Sequence, residues 1–330
     1  MQKNRSWAGA RSALHLVACA VALIALGPNA QAAWPERPIT LIIPFAPGGP
    51  PDIIARILQT TLGQALGQQL IIDNRAGAAG NIAMGQVARA KADGYTLMLT
   101  TTAIAVNPAL FKNLPYDSFR DFAPISELVN APNVLVVHPN SGINSIAELV
   151  AHAKANPTKF NYSSPGAGTK SHLTGELLKL RAGIQMVHIP FRGAGPAAQA
   201  VLANTVQVGS VALAAAETLI QDGQLLALAV TSAKRWFSLP NVPTMIESGY
   251  PDFVSDTFNA LFAPAGTPPE ILSVLVRESR AAFLRPETRE LARKAGFEIV
   301  AGTPEQLTAR IASEIPAVRE LVERAGIKAE

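Results

Sequence analysis

Short apolar runs rich in β-branched residues alternate with segments of helical periodicity, and this alternation limits the folds open to the chain. The run ITLIIPF, Ile39 to Phe45, has the continuous hydrophobicity of a strand buried on both faces. Apolar residues then recur at helical spacing up to Leu66, after Asp52, which we predict as the helix N-cap. The strands QLIIDN and YTLMLTTT follow, separated by the helix NIAMGQVARAKA. This order predicts a parallel α/β sheet.

A second series of strands and helices begins after Pro132. Its predicted strands are NVLVVHP, KFNYSS, MVHIPF and LLALAVTS, and its predicted helices are SIAELVAHAKANP, HLTGELLKLRAG and GPAAQAVLAN. We therefore expect two α/β units, with Ala131–Pro132 as the candidate crossover between them. The C-terminal part is predicted to be helical, apart from the short strand FEIVA. Thr267 and Thr303 each fit the start of a capping box with proline at the first helical position.

The first 32 residues have the pattern of a cleavable secretory signal. Three basic residues flank or precede an apolar run from Ser12 to Gly27, and Ala30-Gln31-Ala32 is a small-x-small cleavage site. The run is short for a membrane span of about 20 residues and ends at Pro28, which favours cleavage over an anchor. We predict residues 1–32 to be a signal peptide and the mature protein to be periplasmic.

Loss of this segment changes the charge balance and the cysteine content. It contains three of the 28 basic residues and the only cysteine, Cys19, so 25 basic residues would face 24 acidic ones. LVAC, ending at Cys19, resembles a lipoprotein box, but the apolar run continues beyond it, so we interpret the match as a coincidence. The balanced charge gives no reason to expect nucleic acid as a partner. No histidine pair has metal-ligand spacing, and we predict neither a metal nor a cofactor.

The loop PFAPGGPPD, Pro44 to Asp52, joins the first predicted strand to its helix. A glycine-rich turn in this position aims backbone N–H groups at the crevice beyond the end of the strand. Prolines have no N–H and restrict the loop, so the expected donors are the amides of Ala46, Gly48 and Gly49. Such donors suit an anion.

The loop YSSPGAGTKSHL has the same design in the second series. It runs through two glycines into a helix predicted to begin near Thr169 to Ser171, and its hydroxyl groups add donors and acceptors. A small anion held between the two loops is one reading; two ordinary strand-to-helix turns is the other. The candidate ligand-binding residues are Phe45, Ala46, Pro47, Gly48, Gly49, Asp52, Ala103, Asn107, Ser163, Ser164, Gly166, Ala167, Gly168, Thr169, His172 and Arg192.

Several of these candidates are chosen for their position after strands. Ala103 and Asn107 follow the third predicted strand, which makes them expected cleft neighbours. Arg75 and Arg192 also follow strands, so we rank them above Arg235 as cleft cations. A surface ion pair is the alternative for each of the three arginines.

Eight stretches of the chain carry a resemblance to a known family. They are WPERPITLIIPFAPGGPPDIIAR, DNRAGAAGNIA, ADGYTLML, NPALFKNLPYDSFRDFAPIS, NYSSPGAGTKSHLTGELL, VHIPFRGAGPAAQAVL, SAKRWFSLPNVPTMIESGYPDF and FAPAGTPPEIL. In this order they resemble the Bug-type (TctC-like) extracytoplasmic solute receptors of tripartite tricarboxylate transporters, from Trp34 to Ile327.

The resemblance implies a type II periplasmic-binding-protein fold, with two α/β lobes, a two-strand hinge and a ligand in the cleft. It implies one lobe at 33–133 plus 258–330 and the other at 134–257. Family members hold a ligand carboxylate through backbone amides of two loops, which match Phe45–Asp52 and Ser163–His172 here. The implied protein is a receptor without catalytic residues. We expect a monomer that binds a small carboxylate, either mono-, di- or aromatic, and feeds the membrane subunits of a transporter.

Three departures from the family pattern bear on the ligand. Pro51 replaces the usual threonine or serine before the aspartate of the first loop. Gln207 and Val211 stand at usually acidic positions, and TFNAL replaces SWFGL, with Phe258 and Asn259 where aromatics are expected. Because an acidic residue at 207 or 211 could pair with a ligand ammonium, its absence argues against amino-acid ligands.

Two other functions fit parts of the sequence. An exported enzyme is disfavoured, because GAGTKS lacks the glycine before lysine of a P-loop and no G-x-S-x-G is present. RGAGPAA fits G-x-G-x-x-A only as an isolated match. His172 begins the helix after the second loop, where it either caps and packs or donates to a ligand. A receptor that feeds a sensor kinase would have the same ligand chemistry as a transport receptor.

Overall fold

The computed structural model describes residues 34–157 and 159–327 and shows a mixed α/β fold. Its strands are β1 (Ile39–Ile43), β2 (Leu70–Asn74), β3 (Thr96–Thr101), β4 (Phe122–Val137), β5 (Asn161–Ser164), β6 (Val187–Pro190), β7 (Val208–Ala212), β8 (Leu226–Val230), β9 (Asp256–Pro264) and β10 (Glu298–Ile299). Its α-helices are α1 (Pro50–Leu66), α2 (Asn81–Ala88), α3 (Ala103–Leu110), α4 (Ile146–Ala155), α5 (Lys170–Ala182), α6 (Ala194–Leu202), α7 (Glu217–Gln221), α8 (Pro269–Leu284), α9 (Pro286–Lys294) and α10 (Pro304–Ala325).

The strands form one continuous sheet in the order β2-β1-β3-β9-β4-β7-β5-β6, and β8 and β10 also pair with β4. The predicted parallel arrangement holds where strands alternate with helices: β1 pairs in parallel with β2 and β3, and β5 with β6 and β7. By contrast, β4 and β9 are antiparallel to each other and to the neighbours they join. The two parallel series are therefore connected through an antiparallel pair.

Strand β4 is longer than the sequence predicts and corrects the predicted crossover. Residues Phe122–Pro132 pair with β9, and Asn133–Val137 pair with β7 and β8. The link predicted at Ala131–Pro132 is therefore the middle of a 16-residue strand. We refer to β4 and β9 as the hinge strands, after the two-strand hinge that the resemblance implies. The division into lobes at 133/134 and 257/258 stays a prediction, because the described residues from Arg37 onward form a single compact unit.

Helices cover the sheet on both faces, as parallel strands with continuous hydrophobicity require. Around β1, β3 and β9, side chains such as Met98 and Phe262 pack against α2, α3 and α10. Around β4, β5 and β7, Tyr162 and Val208 pack against α4 and α5, while Val136 and Val211 pack against α6 on the opposite face. A smaller cluster joins α3, α5 and α10, and it contains Val106, Leu110, Leu173, Val318 and Val322.

One of the two predicted capping boxes is confirmed and the other is wrong. Thr303 caps α10: its hydroxyl accepts a hydrogen bond from the Gln306 N–H, and the Gln306 side chain accepts one from the Thr303 N–H. Thr267 caps nothing, because Pro268 is the N-cap of α8 and the Thr267 hydroxyl donates instead to the Pro264 carbonyl.

The Thr303 cap gives a direct stability prediction. Thr303→Ala removes the acceptor for one orphan N–H of α10, so we expect the free energy of unfolding to fall by about 1 kcal/mol. Urea denaturation would measure it. Thr308→Ala is the control, since the exposed Thr308 hydroxyl bonds only the Pro304 carbonyl within the same helix. An equal loss in both variants would contradict a specific capping role.

The predicted signal peptide and its cleavage site, and Cys19, lie outside the described residues. Among the residues that are described, no helix has both the length and the hydrophobicity needed to cross a membrane.

Candidate functional site

The first glycine loop leaves β1 and enters α1 with two prolines at the first two helical positions. Gly49, in an extended conformation, is the N-cap of α1, and no side chain caps it. Asp52 is therefore not the N-cap that the sequence predicts, because it lies inside the first turn. Pro50 and Pro51 have no N–H, so this helix end contributes few free donors.

Asp52 instead stabilises the loop through hydrogen bonds to its side chain. Its buried carboxylate accepts hydrogen bonds from the Gly48 N–H (3.0 Å), the Asn74 side-chain amide (3.1 Å) and the Arg56 guanidinium (3.0 Å). Burial raises the pKa of Asp52, but these hydrogen bonds outweigh it, so the pKa lies below its ordinary value. Asn74 also donates to the Phe45 carbonyl, which ties the loop to β2.

Two of the three predicted amide donors in this loop remain available. The Gly48 N–H is taken by Asp52. The amides of Ala46 and Gly49 have no acceptor among the described residues, and Ala46 is exposed. Pro47 is exposed beside them. The loop thus presents two N–H groups on a backbone stiffened by proline.

The second glycine loop uses most of its own polar groups to hold its shape. Thr169 is the N-cap of α5: its hydroxyl accepts from the His172 N–H and donates to the Gly166 carbonyl. Ser164 accepts from the Gly166 N–H, and the fully buried Ser163 donates to the Ala197 carbonyl. The serine hydroxyls expected to face a ligand are therefore engaged inside the protein.

The free donors of the second loop lie at the start of α5. The amides of Ala167, Lys170 and Ser171 have no acceptor among the described residues, and Ala167 is exposed. Lys170 and Ser171 are the first two residues of a 13-residue helix, whose N-terminus favours negative charge. These two amides are not among the donors predicted from the sequence, although a glycine-rich loop entering a helix is the signal for them.

His172 lies behind the second loop. Its ring is buried, and its Nδ1 accepts a hydrogen bond from the Gly168 N–H at 3.1 Å. The ring stacks on His188 at 3.9 Å between centroids, and His188 stacks in turn on Tyr162 at 4.9 Å. His188 Nε2 lies 2.6 Å from the Ser164 hydroxyl. Of the two roles considered for His172, the structure shows the packing role, and the two histidines support the loop from below.

Both imidazoles are neutral in this arrangement. Burial lowers the pKa of His188 to about 3, with the neighbouring His172 and Lys179 adding to the effect. Burial also lowers the pKa of His172, against the opposing influence of Glu176. Neutral Nδ1 is what allows His172 to accept the Gly168 N–H.

From the buried histidine pair we predict that the free energy of unfolding decreases at acidic pH. The unfolded chain takes up protons below about pH 6.5, whereas folded His188 does so only near pH 3, so stability is complete above pH 6.5 and falls as the pH drops through that window. At pH 5 the loss from His188 approaches about 2 kcal/mol. Urea titrations of His188→Gln between pH 7 and 5 should show a shallower slope than the wild type. His152→Gln, an exposed histidine on α4, is the control; an unchanged slope in His188→Gln would contradict the prediction.

A series of contacts connects the two loops. A Cβ at Gly80 would lie 3.0 Å from Pro44 Cβ, and the Asn107 amide donates to the Ala79 carbonyl at 3.1 Å. At the other end of α3, a Cβ at Gly168 would lie 2.8 Å from Leu110 Cδ1. Helix α3 therefore connects two regions. At one end it contacts the segment Ala79–Gly80, which packs on Pro44 of the first loop, and at the other end it contacts Gly168 of the second loop.

Ala103 and Asn107 sit on α3. Ala103 is half-buried at its first position, and its N–H donates to the Thr101 hydroxyl. Asn107 is fully buried and bonds Asn81 and Tyr116, while its Oδ1 has no partner among the described residues. Ligand contact by either residue stays a prediction.

The three arginines considered as cleft cations differ. Arg75 pairs with Asp73 and Gln86, and Arg235 pairs with Glu247, as surface ion pairs do. Arg192 is exposed and has no ion pair among the described residues. Its neighbours hold the second loop directly, since the Phe191 and Gly193 amides donate to the Ser164 and Pro165 carbonyls at 2.9 and 3.0 Å. Arg192 is thus the free cation beside the second loop.

A buried ionic cluster at the hinge was missed by the sequence analysis. Arg310 of α10 bonds Glu127 on β4, Asp256 on β9 at 2.8 Å and Glu314 at 3.1 Å, and Glu314 also pairs with Lys170 at the start of α5 at 3.3 Å. Burial raises the pKa of Glu127 to about 7, although Arg310 acts in the opposite direction. In the sequence, only the i,i+4 spacing of Arg310 and Glu314 hints at this cluster.

The described residues contain no group of three or more histidine, cysteine, aspartate or glutamate side chains arranged to hold a metal ion.

The fold is that of a periplasmic solute-binding protein. The family model of the tripartite tricarboxylate transporter family receptor, TctC, matches residues 54–327, and the chain belongs to this family. It is 38% identical over 297 residues to the protein BugT of Bordetella pertussis, covering 89% of this chain and 91% of BugT.

Two similar solved structures contain carboxylates. R. palustris Rpa4515 with adipate superposes with a TM-score of 0.86 at 33% identity, covering 90% of this chain and 99% of that one. MatC (Rpa3494) from Rhodopseudomonas palustris with bound malate superposes with a TM-score of 0.81 at 28% identity, covering 88% and 100%.

Proposed function

We propose that the protein captures a small carboxylate between the two glycine loops and delivers it to the membrane subunits of a tripartite tricarboxylate-type transporter. The observation that carries this proposal is the set of free backbone donors on the two loops: Ala46 and Gly49 on one, and Ala167, Lys170 and Ser171 on the other. Donors without matching acceptors suit a carboxylate. The adipate and malate in the two similar structures are of the same class.

The energies are sufficient for useful affinity. A hydrogen bond to a charged group contributes about 1.5–3 kcal/mol, and micromolar binding needs about 8 kcal/mol in total. Three to five amides reach this figure without an arginine clamp. The prolines and the Asp52 carboxylate hold the first loop in place before binding, so less conformational entropy is lost. Arg192 then supplies a positive charge beside the second loop.

The structure favours a ligand without an ammonium group. Gln207 accepts a hydrogen bond from the Asn161 N–H at 3.0 Å, and Val211 is fully buried in β7. Neither position of the family's acidic pair therefore presents a carboxylate here. We infer simple or aromatic carboxylic acids as ligands, in preference to amino acids.

Calorimetry against a panel of organic acids tests the proposal. The panel compares the simple acids adipate, malate and benzoate with the amino acids glutamate and aspartate. We expect at least one simple acid to bind with micromolar affinity and neither amino acid to bind. Tight glutamate or aspartate binding would refute the ligand class, and a panel without any binding would refute carboxylate capture. Native mass spectrometry of the purified protein, read for a retained acid, would identify the ligand.

Delivery and export need separate measurements. Co-purification of the tagged receptor with membrane subunits would support transport, whereas a sensor kinase in the same fraction would assign it to signalling. N-terminal sequencing of protein from the periplasm should begin at Ala33 if residues 1–32 are removed. Gel filtration of this material should show a monomer.

A further inference from the structure

A half-open cavity lies beside the hinge strands β4 and β9, and no residue of the glycine loops lines it. It encloses about 420 Å³ between Asn130 of β4, Asp256 of β9, the segment Ser232–Phe237, and Arg293 and Glu298 of α9 and β10. Small-molecule sites have volumes of roughly 300–1,000 Å³, so this space would hold a compact organic ligand. Nothing in the proposed solute capture uses it.

The wall of the cavity offers hydrogen-bond donors that have no acceptor. Lys234 and Arg293 form no ion pair with any described residue. Trp236 is only 7% exposed, and its indole N–H has no acceptor among the residues of the structure. Lysine and arginine side chains donate but cannot accept, so they suit a group that only accepts, such as a carboxylate. The Trp236 nitrogen is covered by the protein, so its resonance can report a ligand bound beside the ring.

The acidic residues of the cavity do not cancel this preference. Asp256 is already bonded to Arg310 at 2.8 Å and to the Asn130 amide at 3.3 Å. Glu298 is exposed and forms no ion pair among the described residues, so one unpaired carboxylate stands against the two unpaired cations, Lys234 and Arg293. Arg289 lines an adjoining space of about 110 Å³ beside Arg293, so another cation lies at the same opening.

The aromatic and apolar side chains of the cavity wall indicate the polarity of the rest of the ligand. The Arg293 guanidinium lies over the Phe237 ring, 4.0 Å from its centroid, so one face of the guanidinium is covered while its N–H edge stays available. Val254, 45% exposed, adds an apolar surface to the same cavity. A charged head with an apolar body would match both parts of this wall better than inorganic phosphate.

We propose that this hinge cavity is a second anion site that binds a small organic carboxylate with an apolar body, through the side chains of Arg293 and Lys234 and beside the Trp236 ring. It is separate from the glycine loops.

The indole N–H of Trp236 gives a specific test. The chain has three tryptophans, so ¹⁵N-labelled protein shows at most three indole resonances, and Trp236→Phe identifies the one in the cavity. Titration with benzoate should shift that resonance with saturation, and inorganic phosphate at the same ionic strength should shift it far less. Arg293→Met and Lys234→Met should each weaken the apparent affinity at least fivefold. Lys294→Met is the control, since Lys294 pairs only with Glu290 on the surface of the same helix.

The outcomes separate this site from the proposed solute capture. The same benzoate titration in Gly168→Ala, in which the second glycine loop is disturbed, should leave the Trp236 shift intact. A resonance that does not move with benzoate, or that moves equally with phosphate, overturns the proposal. So does an affinity that is unchanged in both Arg293→Met and Lys234→Met. Loss of the shift in Gly168→Ala would show that it reports the loops and not the cavity.

Discussion

Gly168→Ala is expected to weaken carboxylate binding about tenfold or more, which corresponds to at least about 1.4 kcal/mol. Gly168 has φ +77°, a conformation that costs an alanine roughly 1 kcal/mol. The new Cβ would also lie 2.8 Å from Leu110 Cδ1, closer than such atoms approach. Either the Leu110 side chain or the loop must shift to relieve that contact, and a shift of the loop would lengthen the hydrogen bond from the Gly168 N–H to His172. Calorimetry with the best acid from the panel would measure the loss.

The matched control lies at the far end of α5, the helix that follows the second glycine loop. Gly183 is the C-cap of α5 with φ +60°, but a Cβ there would meet no atom within 4 Å. Gly183→Ala should therefore lower stability by a similar backbone term of roughly 1 kcal/mol while leaving binding unchanged. Equal affinities for Gly168→Ala and Gly183→Ala would show that the loop does not hold the ligand.

Arg310→Met should cause the largest loss of stability, about 3–5 kcal/mol in the free energy of unfolding. Methionine retains the apolar stem but leaves Glu127, Asp256 and Glu314 facing one another with Lys170 as their remaining cation. The contact between the guanidinium and the Phe258 ring, 4.7 Å to the centroid, is also lost. Urea denaturation at pH 7 would measure the difference from the wild type.

The pH dependence of that difference distinguishes charge from packing. Burial raises the pKa of Glu127 and Arg310 opposes this shift, so Arg310→Met removes the opposing cation. The stability contribution of a carboxyl group with a raised pKa is complete at low pH and lost as the pH rises. The deficit of Arg310→Met should therefore shrink between pH 7 and pH 5. A deficit that stays constant would point to packing alone. Arg324→Met, whose exposed pair with Glu320 lies on the same helix, should change stability by no more than about 0.5 kcal/mol.

Local pattern was sufficient to predict most of the parallel strands and their helices. Among them, the run Ile39–Ile43 is continuous and apolar, so it is identified as a strand without reference to distant partners. The antiparallel connection was not predictable in this way. The first part of β4 contains two prolines and Glu127, and it is a strand because β9 pairs with it from more than 120 residues away along the chain. The charge of Glu127 becomes acceptable there because of Arg310, a partner that no local pattern identifies.

The two glycine loops were predicted in position but not in detail. Both glycine loops occur where the sequence places them, between a strand and a helix. What the sequence could not show is which amides are already used: Asp52 takes the Gly48 N–H, and His172 takes that of Gly168. These bonds depend on the directions of the Asp52 and His172 side chains, which contacts with Asn74 of β2 and His188 of β6 fix. The amides at the start of α5 were overlooked for the same reason, since the cap at Thr169 leaves them free.

The unbroken path of β4 has a mechanical consequence. Pro132 stands where the strand exchanges β9 for β7 and β8, and it has no N–H to add to the ladder at that point. Any twisting of one part of the sheet against the other must be absorbed by the few backbone torsions around this residue. Proline fixes one of those torsions, φ, so at this residue only ψ is free to change during such twisting.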